Sequence, residues 1–178
     1  MEIRHKFDVV YDRDKGVGEA YEAYLITQWQ TAGRAVTPYT TFTDQVTRGD
    51  ACVNGRDVEI KFDRLMHETD RLYIETAERR RLTRTFVPSG IYARSAAYWY
   101  VIGDYSRVFI FRRQRLRDIA VEMPVITISA GTSQGWLLPC GDACEEASEV
   151  TAYVGRRWDG RDDTPVPSTS ADLPFIHC

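Results

Sequence analysis

Asn54-Gly55 stands between two short stretches of alternating character, Ala51-Cys52-Val53 and Arg56-Asp57-Val58-Glu59-Ile60-Lys61-Phe62. No other feature of the chain constrains the fold as tightly. Asn-Gly is the strongest short-range signal for a two-residue type I′ turn, because both central residues must take positive φ. The register then follows. Val53 faces Arg56, Cys52 faces Asp57, Ala51 faces Val58, and the next pair outward is Asp50 with Glu59. Val58, Ile60 and Phe62 share one face, which is apolar and turns toward a core. Glu59 and Lys61 share the other.

That register sets two carboxylates opposite each other, with Cβ atoms roughly 4.5–5.5 Å apart, and a lysine two residues further along the same face. Like charges so placed repel, unless a divalent cation lies between them. Mg²⁺ takes one or two carboxylates and keeps several waters. Beside such a cation, an ammonium can orient a nucleophilic water or stabilise developing charge. The same residues also suit an exposed hairpin in which Glu59 pairs with Lys61 or Arg56, a kind of contact worth little.

Elsewhere the pattern reads as mixed α/β. Phe7, Val9 and Val10 suggest a short strand. Ala20, Tyr24 and Leu25 recur at helical spacing, giving a helix over 17–32 that Gly33 ends. The Thr-rich stretch 36–46 reads as loop or irregular strand. Leu72-Tyr73-Ile74-Glu75 reads as a third strand, with Tyr73 and Glu75 on one face. Tyr98–Ile102 and Val108–Phe111 read as buried strands, Arg113–Val121 as a short helix, 126–128 and 136–138 as strands, and 142–149 as a last helix. The aromatic run Tyr98-Trp99-Tyr100 fits a core better than a base-stacking surface. After Val154 the composition turns to Gly, Asp, Pro, Ser and Thr. The expected organisation is one domain over 1–154 with a loosely packed tail over 155–178.

Charge is segregated. Residues 1–70 carry 9 basic and 13 acidic side chains, whereas 71–117 carry 11 basic and 3 acidic. A net charge of −3 therefore hides a basic block suited to a polyanion, although an uneven solvated surface gives the same sums. Only Lys6, Lys15 and Lys61 among the 23 basic residues are lysine. Lysine is a compact ammonium whose pKa adjusts to its surroundings, so Lys61 stands out. No apolar run is long enough to span a membrane. Without an apolar leader, and with four cysteines, a cytoplasmic location with free thiols is expected. Cys140, Cys144, His177 and Cys178 are too loosely spaced for a zinc site. His67 reads as a surface histidine.

Asp50, then Glu59-Ile60-Lys61, resembles the D…E-x-K signature of the PD-(D/E)XK nuclease superfamily, the restriction-endonuclease-like group. The longer string Glu59–Arg64, Leu72–Glu75, Pro88–Ile91 and Ala97–Val101 is similar to small phage and prophage nucleases of that group, over roughly residues 16–121. The resemblance implies an αβββαβ core with a central mixed sheet flanked by helices. It implies a Mg²⁺- or Mn²⁺-dependent deoxyribonuclease, structure-selective or non-specific, with a dimeric four-way junction resolvase as one version. Asp50, Glu59 and the Ile60 carbonyl would hold metal and Lys61 would assist the water. A carboxylate on the first helix would join them, Glu19 fitting best and Glu22 second. Arg79, Arg80, Arg81 and Arg84, with Ser89 and Gly90, would contact DNA; Arg112, Arg113, Arg115 and Arg117 form a further basic cluster. Two departures are Gly49, where a proline commonly precedes the aspartate, and Arg71, where relatives often have a small polar residue. The alternative is a non-catalytic nucleic-acid-binding or assembly protein that kept the fold.

Overall fold

The computed structural model describes residues 6–80, 83–128 and 131–153, with side chains from residue 16 onward. The expected tail, together with Arg81, His177 and Cys178, lies outside the described residues. The chain is mixed α/β, with a six-stranded mixed sheet, a four-stranded antiparallel sheet, and helices packed with them. Among the described residues no helix is long and apolar enough to cross a membrane.

The first helix, α1 (Lys6–Thr31), starts well before the expected 17 and absorbs the strand expected at Phe7–Val10. Its buried stripe of Tyr21, Tyr24, Leu25 and Trp29 follows the 3.6-residue period. The stretch 36–46 resolves into β1 (Val36–Pro38) and the start of α2 (Phe42–Arg48). Thr41 caps α2 by accepting from the Asp44 N–H at 3.1 Å. The β-propensity of its threonines hides this helix in sequence.

The hairpin forms as its turn residues dictate. β2 (Ala51–Val53) and β3 (Arg56–Phe62) pair Ala51 with Val58, Cys52 with Asp57 and Val53 with Arg56. Asn54 and Gly55 have φ of 49° and 78°. β1 adds antiparallel to the outer edge of β2, and β6 (Trp99–Gly103) lies parallel to β3 on its inner edge. β7 (Arg107–Arg112) and β10 (Glu149–Ala152) complete the sheet. One of its faces meets α1 in a core containing Val58, Ile60, Val101 and Ile110.

The expected third strand is displaced. β4 (Arg71–Arg79) does not extend the hairpin's sheet. It turns away after Asp70, whose φ is 51°, and pairs with β9 (Ser133–Pro139), flanked by β5 (Phe86–Pro88) and β8 (Ile126–Ile128). Leu72, Ile74, Trp136 and Leu138 pack this second sheet onto Tyr100, Ile102, Phe109 and Phe111 of the first. α4 (Arg113–Ala120) and α5 (Cys140–Glu146) close the same core. The connection from β3 to β6 thus runs through strands and a 3₁₀ turn at Gly90–Tyr92, with only the four-residue helix α3 (Met66–Thr69).

Candidate active site

β2 and β3 part company at Gly49. Its φ of 110° is open to glycine alone, and a Cβ there would lie 2.5 Å from the Val58 carbonyl oxygen. The turn takes Asp50 out of the ladder, which corrects the simple cross-strand pairing of Asp50 with Glu59. The Asp50 N–H donates to the Val58 carbonyl at 2.8 Å. Its side chain swings inward, and Oδ2 accepts from the Ile60 N–H at 2.6 Å. In a strand the N–H and C=O of one residue point to the same edge. The Ile60 carbonyl therefore looks toward the edge where Asp50 sits.

Glu59 is buried, at 8% exposure, on the face away from α1. Oε1 meets the Lys61 ammonium at 2.6 Å, and Oε2 lies 3.3 Å from the Ser95 hydroxyl. The charge pairing expected of a plain surface hairpin is present, yet its carboxylate is inside the protein. Burial, and next the Glu59 charge, push Asp50 up to about 6, against the pull of Lys61 and the Ile60 N–H. Desolvation works against the Lys61 ammonium, but Glu59, with Tyr100 and Asp50 behind it, prevails and raises its pKa.

The helix carboxylate in this cluster is Glu22. Burial pushes it up to about 8, helped by Asp50, Glu59 and Glu19 and opposed by Lys61. Glu19 is exposed, and its charge adds to the upward push on Glu22. The helical wheel explains the order. At roughly 100° per residue, Glu22 lies about 100° from the buried Tyr21, whereas Glu19 lies about 160° away. The aromatic stripe was the sequence signal that favoured Glu22.

Of the residues expected to contact DNA, those described divide between a hairpin tip and the packing of β4. Arg79, Arg80 and Arg84 are exposed at the tip of the β4–β5 hairpin, and the strand rise sets Arg79 about 13 Å beyond Glu75. The Ser89 hydroxyl donates to Glu75 Oε1 at 2.6 Å, and Ser133 donates to Oε2 at 2.7 Å. Gly90 is buried with φ of 54°, and a Cβ there would meet the Glu75 carbonyl at 2.1 Å. Its need for glycine is set by packing on β4. The second basic cluster is largely spent internally. Arg113 is buried, Arg115 pairs with Glu146 at 2.6 Å, and Arg117 donates to the Ile91 carbonyl at 2.7 Å. Of the aromatic run, Tyr100 is core, whereas Tyr98 is exposed and carries the Arg56 guanidinium over its ring.

The oxygens of Asp50 and Glu59, with the Ile60 carbonyl, are of the kind that suits a hard cation such as Mg²⁺ or Mn²⁺. Among the described residues no three His, Cys, Asp or Glu side chains form a ready-made metal cage. Mg²⁺ does not ask for one, since it retains water. The Cys140 thiol is buried and pushed up to about 12, first by desolvation, which does not suit a zinc ligand. His67, in α3, lies 3.8 Å from Asp104. A cavity of about 350 Å³ opens at the turn end of the hairpin, between Trp29, Arg34, Arg56 and Trp99. None of the clustered carboxylates lines it. Ser95 and Arg113 were missed as site residues because their link to Glu59 spans 36 and 54 positions of sequence. Comparison of the chain with protein-family models, with curated proteins and with solved structures finds no match.

Proposed function

We propose that the chain is a metal-dependent nuclease that hydrolyses DNA phosphodiester bonds. The observation that carries this reading is the buried Glu59–Lys61 pair beside Asp50, whose carboxylate takes the Ile60 N–H where β2 and β3 separate, with Glu22 of α1 within electrostatic reach. These carboxylates share a desolvated place, and a divalent cation would offset the charge that Asp50 and Glu22 take on as they lose their protons. The fold lends support: α1 is followed by the antiparallel run β1–β2–β3, and β6 then lies parallel to the E-x-K strand. It departs from the αβββαβ pattern in the strand-built crossover.

Asp50, Glu59 and the Ile60 carbonyl would hold the cation, with Glu22 joining once it loses its proton. The bound cation supplies Lewis acidity toward a phosphoryl oxygen. Lys61 keeps its proton at any working pH, because Glu59 raises its pKa. It therefore acts as a donor and a positive charge, orienting the attacking water and steadying the phosphorane oxygens, and not as a base. Asp50 holds the strand edge open by taking the Ile60 N–H. The site lies where a strand edge is left by its partner and not in the cavity at the turn end of the hairpin, which suits a polymer.

Supercoiled, linear, single-stranded and branched DNA, incubated with Mg²⁺ or Mn²⁺, test this reading. Cleavage of at least one form is expected, and chelator stops it. Salt-sensitive DNA binding without any cleavage, in wild type and Lys61→Ala alike, would favour the non-catalytic binding protein.

A further inference from the structure

Arg113 opens α4 with its guanidinium buried, at 3% exposure, beneath the loop that follows β5. All five of its N–H donors are used. Nε donates to the Ile91 carbonyl at 2.8 Å, and Nη2 to the carbonyls of Gly90 at 3.0 Å and Ala93 at 2.6 Å. Nη1 donates to both the carbonyl and the hydroxyl of Ser95, each at 2.8 Å. This is a fully satisfied buried charge, which fixes the loop where a half-satisfied one would destabilise it.

The direction of the next bond follows. Guanidinium has no acceptor, so the Ser95 oxygen accepts from Arg113 and its proton must go elsewhere. The polar atom on hand is Glu59 Oε2, 3.3 Å away. Ser95 is itself buried, at 9% exposure. Glu59 is then held at both oxygens: Lys61 at Oε1 and Ser95 at Oε2. Lys61 sits on the same strand and moves with Glu59. Ser95 belongs to a separately anchored loop, so it is the contact that sets the carboxylate's orientation against the rest of the protein.

We infer that Ser95 is a positioning residue for the Glu59 carboxylate, locked in its donor role by Arg113, and that it tunes how tightly the site holds a divalent cation. The inference rests on the nuclease reading for the cation, and on these contacts alone for the positioning. Hydrogen-bond partners that orient a ligating carboxylate typically govern about 10–100-fold of metal affinity or activity.

Ser95→Ala is a clean probe, because Arg113 keeps all four of its carbonyl partners. Ser133→Ala is its matched control: Ser133 is equally buried, at 9%, and also donates to a carboxylate, that of Glu75. Mn²⁺ binding to the full chain without DNA, measured by electron paramagnetic resonance, should weaken about 10-fold or more in Ser95→Ala and stay at the wild-type value in Ser133→Ala. Melting without metal should fall by similar small amounts in both. Wild-type Mn²⁺ affinity in Ser95→Ala, or equal weakening in the two variants, overturns the positioning role while leaving the nuclease reading intact. A wild type that neither binds Mn²⁺ nor cuts DNA overturns the nuclease reading itself, and the role assigned to Ser95 with it.

Discussion

Glu59 and Glu75 lie on strands of different sheets, and the charges of both act on the buried Tyr100. Each accepts from a serine. Their surroundings nevertheless differ in kind. Glu75 has one neutral hydroxyl on each oxygen, and Tyr73 continues the network through Ser133 at 2.8 Å. It is closed and self-satisfied. Glu59 pairs with the Lys61 ammonium, and its charge adds to the upward push on Asp50 and Glu22. Neutral hydrogen bonds satisfy a lone carboxylate; they cannot satisfy a crowd of them. A strand glutamate is a structural clasp in one setting and a candidate metal ligand in the other, and the neighbours decide which.

The largest expected effect breaks that comparison at its strong end. Asp50→Ala, Glu59→Ala and Lys61→Ala should each lower DNA cleavage by two or more orders of magnitude, roughly what removing one stabilising group at a reacting phosphate costs. Glu75→Gln should stay within a few-fold, because the amide oxygen still accepts from one serine while the amide nitrogen donates to the other. Comparable losses at Glu59 and Glu75 in a gel-based cleavage assay would erase the distinction.

Metal-dependent melting sharpens it. A cation that binds only the folded site at 100 times its Kd adds about 2.7 kcal/mol. For a chain of this size that is roughly 5–10 °C. Scanning calorimetry should show this rise in wild type and in Glu75→Gln. Asp50→Asn should lose most of it, while its metal-free stability at neutral pH holds or improves.

The pH dependence of the metal-free protein carries the sign of the crowding. Asp50 and Glu22 have folded pKa values of about 6 and about 8, above their ordinary 3.8 and 4.5. The folded state then binds more protons than the unfolded between those limits, so stability falls as pH rises from about 4 to 8. Denaturant titrations should show this decline. Glu22→Gln should flatten its upper part and Asp50→Asn its lower part, while Glu75→Gln should leave both unchanged. A rise in stability over the same window would contradict the crowding.

How much of this was legible in sequence depends on the range of each interaction. The Asn54-Gly55 register was read correctly because the turn is local. So was the shared face of Glu59 and Lys61, and so were β6, β7 and α4. The departure of Asp50 from the ladder was not, since it depends on Gly49 packing onto Val58. The move of β4 to a second sheet was hidden because its partner, β9, lies some sixty residues on and no local pattern names it. Glu22 was within reach through the stripe of Tyr21 and Leu25. Ser95 was not, because a serine becomes a site residue only when a distant buried arginine orients it.

The smallest effect concerns the hairpin tip. Replacing Arg79 and Arg80 by glutamine should weaken DNA binding a few-fold and reduce the slope of log affinity against log salt by about one per lost phosphate contact. Filter binding in Ca²⁺ reads this directly. An unchanged slope assigns the tip to solvent and leaves the carboxylate cluster as it stands.

The central claim, that Glu59 and Asp50 take the cation while Lys61 serves the reaction, is tested most directly in Lys61→Ala by reading Mn²⁺ affinity and DNA cleavage on the same preparation. Removing the ammonium frees Glu59 Oε1, so Mn²⁺ should bind as tightly as in wild type or more so, while cleavage falls at least about 100-fold. Cleavage that survives in Lys61→Ala, or Mn²⁺ binding that disappears with the ammonium, would contradict the account.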